Sequence, residues 1–146
     1  MKRVLSAAAA LTLALSLGTS ALAYSGTITL NGASLSTATL PDAPTGAVIP
    51  LRAVVEADYG FVDWYADENR SFFSLDGNSI YVDCATGAIE LNGETLSNMK
   101  ATFVQGVTFV PASLLGKLEG CSAQVKGSDV TITTPNGDVL VRLARS

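Results

Sequence analysis

The sequence predicts an α+β domain of two tandem β-β-α-β-β repeats, mostly antiparallel strands with two short helices packed into one two-lobed body. Three observations carry this reading. Ile28-Thr29-Leu30-Asn31-Gly32 returns as Ile89-Glu90-Leu91-Asn92-Gly93, 61 residues on. Ile49-Pro50-Leu51 returns as Val110-Pro111-Ala112 at the same offset. Between these landmarks the apolar residues alternate with period two and are punctuated by Asn-Gly and Asp-Gly turn signals. Repeat 1 spans about 27–84 and repeat 2 about 88–143.

The elements follow in order. Thr27 to Leu30 alternates, and Asn31-Gly32 then supplies a hairpin turn. Ala33 to Leu40 reads as the returning strand, and Pro41 to Gly46 as a loop. Val48-Ile49 is extended, because a residue before proline avoids the helical region. Pro50 suits the first position of a helix, where its missing N–H costs nothing. Leu51, Val54, Val55 and Tyr59 keep helical spacing, and Gly60 offers a left-handed stop. Phe61 to Tyr65 is the next strand. Ser71 to Leu75 and Ile80 to Cys84 then pair across Asp76-Gly77-Asn78-Ser79.

The second copy repeats the order. Ile89 to Leu91 and Glu94 to Leu96 flank Asn92-Gly93. Phe103-Val104 and Thr108 to Val110 lead to Pro111. Leu114, Leu115 and Leu118 form a second helical stripe, stopped by Gly120. Ala123 to Val125 is a strand, and Val130 to Thr133 pairs with Val139 to Leu143 across Pro135 to Asp138.

The chain of 146 residues opens like a secretory signal. Lys2 and Arg3 precede an apolar run from Ala7 to Leu17, and Ala21-Leu22-Ala23 has the small-x-small pattern of a cleavage site. The run is short of the roughly 20 apolar residues that span a bilayer. The expected organisation is therefore a signal peptide over 1–23 and one domain over 24–146, secreted or envelope-associated, with no membrane attachment after cleavage. Loss of Lys2 and Arg3 takes the net charge from −4 to −6. An acidic chain with scattered cations argues against nucleic acid, whose phosphates need a clustered basic face.

Cys84 and Cys121 are the two cysteines. In an oxidising compartment an even, minimal count points to one disulfide. A closed loop of about 38 residues corresponds to roughly 4 kcal/mol in the chain-entropy picture. The alternative is two free thiols packed as small hydrophobes. The spacing fits neither a C-x-x-C redox motif nor a zinc finger.

The residues Leu30-Asn31-Gly32, Ile49-Pro50-Leu51-Arg52, Tyr59-Gly60 and Val62-Asp63-Trp64, in this order, resemble the copper amine oxidase N-terminal-like (stalk) domain of secreted and surface proteins of Gram-positive bacteria. Leu91-Asn92-Gly93, Gly106-Val107-Thr108-Phe109-Val110-Pro111 and Gly120 extend the resemblance through the second half. It covers nearly all of residues 27 to 134. The second copy departs from it, with Pro111-Ala112-Ser113 in place of Pro-Leu-Arg and Val125 in place of Trp. The resemblance implies a secreted stalk-like accessory module. It does not imply copper, since the oxidases hold their metal and cofactor in a separate, larger domain.

The chain contains no histidine. Ser-His-Asp and Cys-His nucleophile systems and imidazole copper sites are thereby excluded. No catalytic, cofactor-binding or metal-binding residue is assigned. Asp63, Asp67 and Glu68 cluster after the first helix, where two carboxylates would divide acid and base roles in a hydrolase; a solvated, turn-rich acidic loop is the favoured account of them. Arg52 lies in a first helical turn, against the dipole, and calls for a carboxylate partner. Trp64 and Tyr65 point to opposite faces of one strand, so one is expected in the core. The other, with Tyr81 and Phe72, is expected to form an exposed aromatic surface, and Arg52, Trp64, Tyr65 and Tyr81 make up the candidate interaction surface. The expected function is a non-catalytic, stalk-like binding module engaging protein or cell-wall glycan. The alternatives are an inhibitor or folding accessory of secreted enzymes, and a carboxylate-dependent hydrolase using Asp63 or Glu68.

Overall fold

The computed structural model describes residues 23–35, 39–41 and 47–145. The expected signal peptide lies almost wholly outside them, as does most of the Pro41–Gly46 loop. Fourteen strands are described. These are β1 (Ala23–Leu30), β2 (Ala33–Ser34), β3 (Thr39–Pro41), β4 (Val48–Pro50), β5 (Phe61–Tyr65), β6 (Arg70–Leu75) and β7 (Asn78–Asp83). They continue as β8 (Ala88–Leu91), β9 (Glu94–Lys100), β10 (Thr102–Val104), β11 (Val107–Pro111), β12 (Ser122–Lys126), β13 (Asp129–Thr134) and β14 (Gly137–Arg145). The helix α1 (Leu51–Ala57) and two 3-10 helices, Ala66–Glu68 and Ala112–Lys117, complete the order. The mostly antiparallel α+β class is as expected.

The strands form three sheets. One runs β5-β6-β7-β8-β9, the second β12-β13-β14-β1-β2 with β3 also on β1, and the third β10-β11-β4. Each of the two larger sheets, of five and six strands, takes three strands following a helix and adds a hairpin from the other half of the chain. The expected pair of lobes, one per half, is therefore not what forms. The hairpins β1-β2 and β8-β9 cross over because β14 and β7 each leave an edge that needs a partner.

The Asn-Gly turns fasten those crossovers. Asn31 and Asn92 take φ of 50° and 51°, and Gly32 and Gly93 of 84° and 87°, the left-handed pair a two-residue hairpin turn requires. The Asn31 N–H donates to Leu140 O at 2.8 Å, and Leu140 N–H donates back to Asn31 Oδ1 at 2.9 Å. Asn92 does the same with Ser79, both bonds being 2.8 Å. Asparagine is thus chosen because it tolerates the turn and also extends the ladder onto the neighbouring strand.

The Ile-Pro and Val-Pro segments meet each other. In the third sheet Ile49 pairs with Val110, Pro50 with Phe109 and Val48 with Pro111. Ile49, Phe109 and Val110 are fully buried there, with Leu51, Val54, Val55, Leu114, Leu115, Ile80 and Ile132 around them in one core. Each such side chain contributes roughly 1.5–3 kcal/mol by leaving water.

Several local expectations are corrected. Pro50 ends β4 and caps α1 in extended conformation, with ψ of 104°, rather than opening the helix. The helix is seven residues long. Its left-handed stop is Tyr59, with φ of 63°, not Gly60. Gly60 is required for space: a Cβ there would lie 2.4 Å from Ser74 O and 2.6 Å from Val55 Cγ1. The second helix is a 3-10 turn, where Gly116 weakens α-helical propagation. Of the strand expected from Ala33 to Leu40, Ala33–Ser34 forms β2 and Thr39–Leu40 lies in β3, while 36–38 lie outside the described residues.

The expected disulfide is also corrected. Both cysteines are free. Cys121 Sγ sits 3.9 Å from Asp76 Oδ2, at the β6–β7 turn. Cys84 lies beyond the far end of β7, 3.7 Å from Ser71 Oγ. The length of β7, at about 3.3 Å per residue, separates the two thiols. A disulfide needs Cα atoms within about 7 Å.

Candidate functional site

Alternation along β5 splits the four surface candidates. Asp63 pairs with Phe72 and Phe72 with Tyr81, while Trp64 pairs with Ser71 and Ser71 with Val82. Val82 and Phe73 are buried, so Val62 and Trp64 lie on the core side of the sheet. Phe61, Asp63, Tyr65, Phe72 and Tyr81 lie on its outer side. Tyr65 and Tyr81 therefore share one surface, and Arg52 and Trp64 another.

The outer side carries a continuous strip of rings across three strands. Phe72 and Tyr81 have centroids 5.0 Å apart. Tyr65 is 6.2 Å from each of them, and Phe61 6.4 Å from Phe72. These separations lie within the range where aromatic pairs attract. Phe61 stays 57% and Tyr65 37% exposed, while Phe72 and Tyr81 are half-buried by their neighbours. The strip thus keeps a large apolar area in contact with water.

Polar groups frame the strip. The Arg70 guanidinium lies 4.0 Å from the Tyr81 ring centroid, a cation–π contact. Its Nε donates to Glu68 Oε1, and its Nη1 is 3.6 Å from Glu90 Oε1. The hydrogen bond to Glu68 raises the guanidinium pKa above its ordinary value. The Tyr65 phenol is also held above its usual value, first by desolvation and then by Tyr81, Asp63 and Glu68. Both side chains keep their protons at neutral pH and present hydrogen-bond donors beside the rings.

The core side opens into a groove of about 560 Å³ between α1, β5 and the β10–β11 hairpin. Arg52, Glu56, Val62, Trp64, Phe73 and Val107 line it. The carboxylate partner expected for Arg52 is Glu56, one helical turn on, at 3.1 Å. This pair is exposed and offsets the unfavourable dipole position only modestly. Trp64 is 50% exposed. Neither Trp64 nor Tyr65 joins the core, contrary to expectation: β5 is an edge strand, and nothing among the described residues covers its outer flank.

The acidic residues after α1 do not converge. Asp63 Oδ1 accepts from the Trp64 N–H at 2.8 Å, and Glu68 is engaged by Arg70. No group of three metal-ligating side chains is found among the described residues. A different pair of carboxylates does meet. Asp58, at the end of α1 and only 4% exposed, faces Asp76 of the β6–β7 turn. The Thr134 hydroxyl donates to Asp58 Oδ1, and Asn136 Nδ2 donates to Asp76 Oδ1 at 3.0 Å. Sequence reasoning missed this pair. Both residues sit at turn positions, where an Asp is ordinarily explained by turn chemistry alone.

Comparison with protein-family models, with characterised proteins and with solved structures finds no match to this chain. Among the described residues no helix is long and apolar enough to cross a membrane.

Proposed function

We propose that this chain is a secreted, non-catalytic, stalk-like module that engages protein or cell-wall material through the outer face of the β5–β9 sheet. One observation carries the reading. The β12–β14 sheet has the same strand connectivity, yet its outer side bears Gln124, Thr131, Thr133 and Leu140 where the first bears Asp63, Phe72, Ser74 and Tyr81. A sheet of this design stands without the rings, so packing does not account for them. Exposed aromatic groups bordered by charged hydrogen-bonding groups are the composition of interaction surfaces.

The resemblance to the copper amine oxidase N-terminal-like family and the signal-like opening support secretion and an accessory role. A duplicated β-β-α-β-β unit accords with the Ile49–Val110 pairing and with the matching Asn31 and Asn92 clamps. In this reading Asp63 and Glu68, the carboxylates the hydrolase alternative would use, are engaged apart from each other by the Trp64 N–H and by Arg70.

The test is retention of the purified chain on cell-wall fractions and on immobilised secreted proteins. Wild type is retained by one of them, and a Tyr65→Ala/Phe72→Ala variant is not. Absence of retention on both, or equal retention of the variant, contradicts the reading.

A further inference from the structure

We propose that Asp58 and Asp76 form a one-proton carboxyl–carboxylate clasp, which locks the ends of two hairpins together in acid and loosens them near neutral pH. This is independent of the binding face described above.

The geometry comes from three separated segments. Asp58 ends α1, Asp76 occupies the β6–β7 turn, and Thr134 and Asn136 belong to the β13–β14 turn of the other sheet. Asn136 Nδ2 reaches Asp58 Oδ2 and the Asp58 carbonyl, each at 3.4 Å, as well as Asp76 Oδ1. Beside this cluster Asn78 ties the same junction to the backbone of Glu119, donating to its O at 3.1 Å and accepting from its N–H at 3.0 Å. Among the described residues, the side-chain hydrogen bond that joins the two turns runs from Asn136 to Asp76.

Asp58 and Asp76 accept from the same Asn136 amide nitrogen, and two carboxyl groups brought together this way have only acceptors to offer each other unless one carries a proton. With the proton present, one oxygen donates and the other accepts. Without it, two negative charges face each other where Asp58 is nearly sealed from water. No Lys or Arg among the described residues is ion-paired with either one. The remaining titratable neighbour is the Cys121 thiol. Its pKa is raised by burial and then by Asp76 and Asp58, so it supplies no compensating charge.

Burial, followed by the hydrogen bond and charge of Asp58, raises the Asp76 carboxyl to about 6. The sign of this shift is the reverse of the usual carboxylate. The folded chain holds the proton more tightly than the unfolded chain, so the clasp stabilises fully below pH about 4. That contribution is lost as pH rises through about 6. Asp83 and Asp129, whose values are lowered, stay ionised throughout this window. The absence of histidine leaves the window free of imidazole titration.

The experiment combines carboxyl-carbon NMR titration of the wild-type chain with its thermal unfolding between pH 4.5 and 7.5. The Asp76 resonance shifts with a midpoint near 6, and the unfolding temperature falls by about 5 °C or more across the range. Asp76→Asn, whose amide donates where the proton did, holds its unfolding temperature constant over the same range. Should that variant fail to fold, amide exchange of the 76–78 and 134–136 turns in wild type decides, and accelerates above pH 6 beyond its intrinsic pH dependence. An Asp76 midpoint near 4, a flat wild-type profile, or an Asp76→Asn profile parallel to wild type would overturn the proposal.

Discussion

The two larger sheets share a strand order along their main path and differ in what their outer sides carry. β5 and β12, the edge strands, even share a burial pattern, with only the second residue half-covered. Trp64 and Val125 occupy matching edge positions and are 50% and 47% exposed. On the outer side the likeness ends. Phe61, Tyr65, Phe72 and Tyr81 make an aromatic strip in one sheet, and Ser122, Lys126, Thr131 and Leu140 stand in the other. The comparison teaches which residues belong to the architecture and which are additional. The Asn-Gly clamps, the paired Ile-Pro and Val-Pro segments and the buried aliphatic faces occur in both halves. The rings, the Arg70 bracket and the Trp64 groove occur in one.

The largest effect that would break the likeness is at Gly60, where the second half has Cys121 at the matching offset. A Cβ at residue 60 would press on the Ser74 carbonyl, which is backbone and cannot rotate away. Gly60→Ala is expected to cost about 2–3 kcal/mol, read as a lower denaturation midpoint in urea. Cys121→Ala, on the other side, loses only a small half-buried thiol and is expected to cost under about 1 kcal/mol.

Next in size are the rings. Phe72→Ala removes a half-buried side chain that touches three aromatic neighbours, and is expected to cost about 1–2 kcal/mol. Phe61→Ala and Leu140→Ala are expected to leave stability within about 1 kcal/mol, because both side chains are largely solvated already. Their effects on binding are expected to diverge. Loss follows Phe61→Ala, on the aromatic side, and none follows Leu140→Ala.

A smaller effect concerns the thiols. Reducing agent is expected to leave the unfolding temperature unchanged, and alkylation of the denatured chain under non-reducing conditions to label both cysteines. A single covalent dimer of sulfurs in the mass spectrum would instead bring back the disulfide. The smallest effect is expected at the exposed Arg142–Asp129 pair of the second sheet, whose Nε–Oδ1 distance is 2.7 Å. Hydrogen bonding by Arg142 lowers the Asp129 pKa, so the contribution is present above pH about 4 and fades as pH falls through the lowered value. Arg142→Ala is expected to lower stability slightly at neutral pH and to make no difference once acid has protonated Asp129.

Much of this architecture was legible in the sequence because it is local. Asn-Gly and Asp-Gly pairs announce their hairpins, and period-two apolar runs announce β6, β7, β13 and β14. Phe61–Tyr65 was placed to the residue. What lay beyond reach depends on partners distant in the chain. Nothing near Asn31 says that its hairpin joins β14, more than 100 residues away. Gly60 reads as a helix stop until Ser74 O is seen pressing against it. Tyr65, Phe72 and Tyr81 were legible as one aromatic surface, but Phe61 needed the β5–β6 register to join them. Arg52 and Trp64 were legible as a pair and were grouped with the wrong surface. Asp58 and Asp76 looked like two unrelated turn residues, because their encounter exists only once α1 and the β6–β7 turn are packed.

The account turns on the claim that one sheet binds and its counterpart does not. Amide chemical-shift mapping of the isotope-labelled chain, titrated with the cell-wall or secreted-protein fraction that retains it, tests this most directly. Shifts confined to β5, β6 and β7, centred on Tyr65, Phe72 and Tyr81 and abolished in Tyr65→Ala/Phe72→Ala, are the result predicted. Shifts centred on β12, β13 and β14, or spread equally over both sheets, would contradict it.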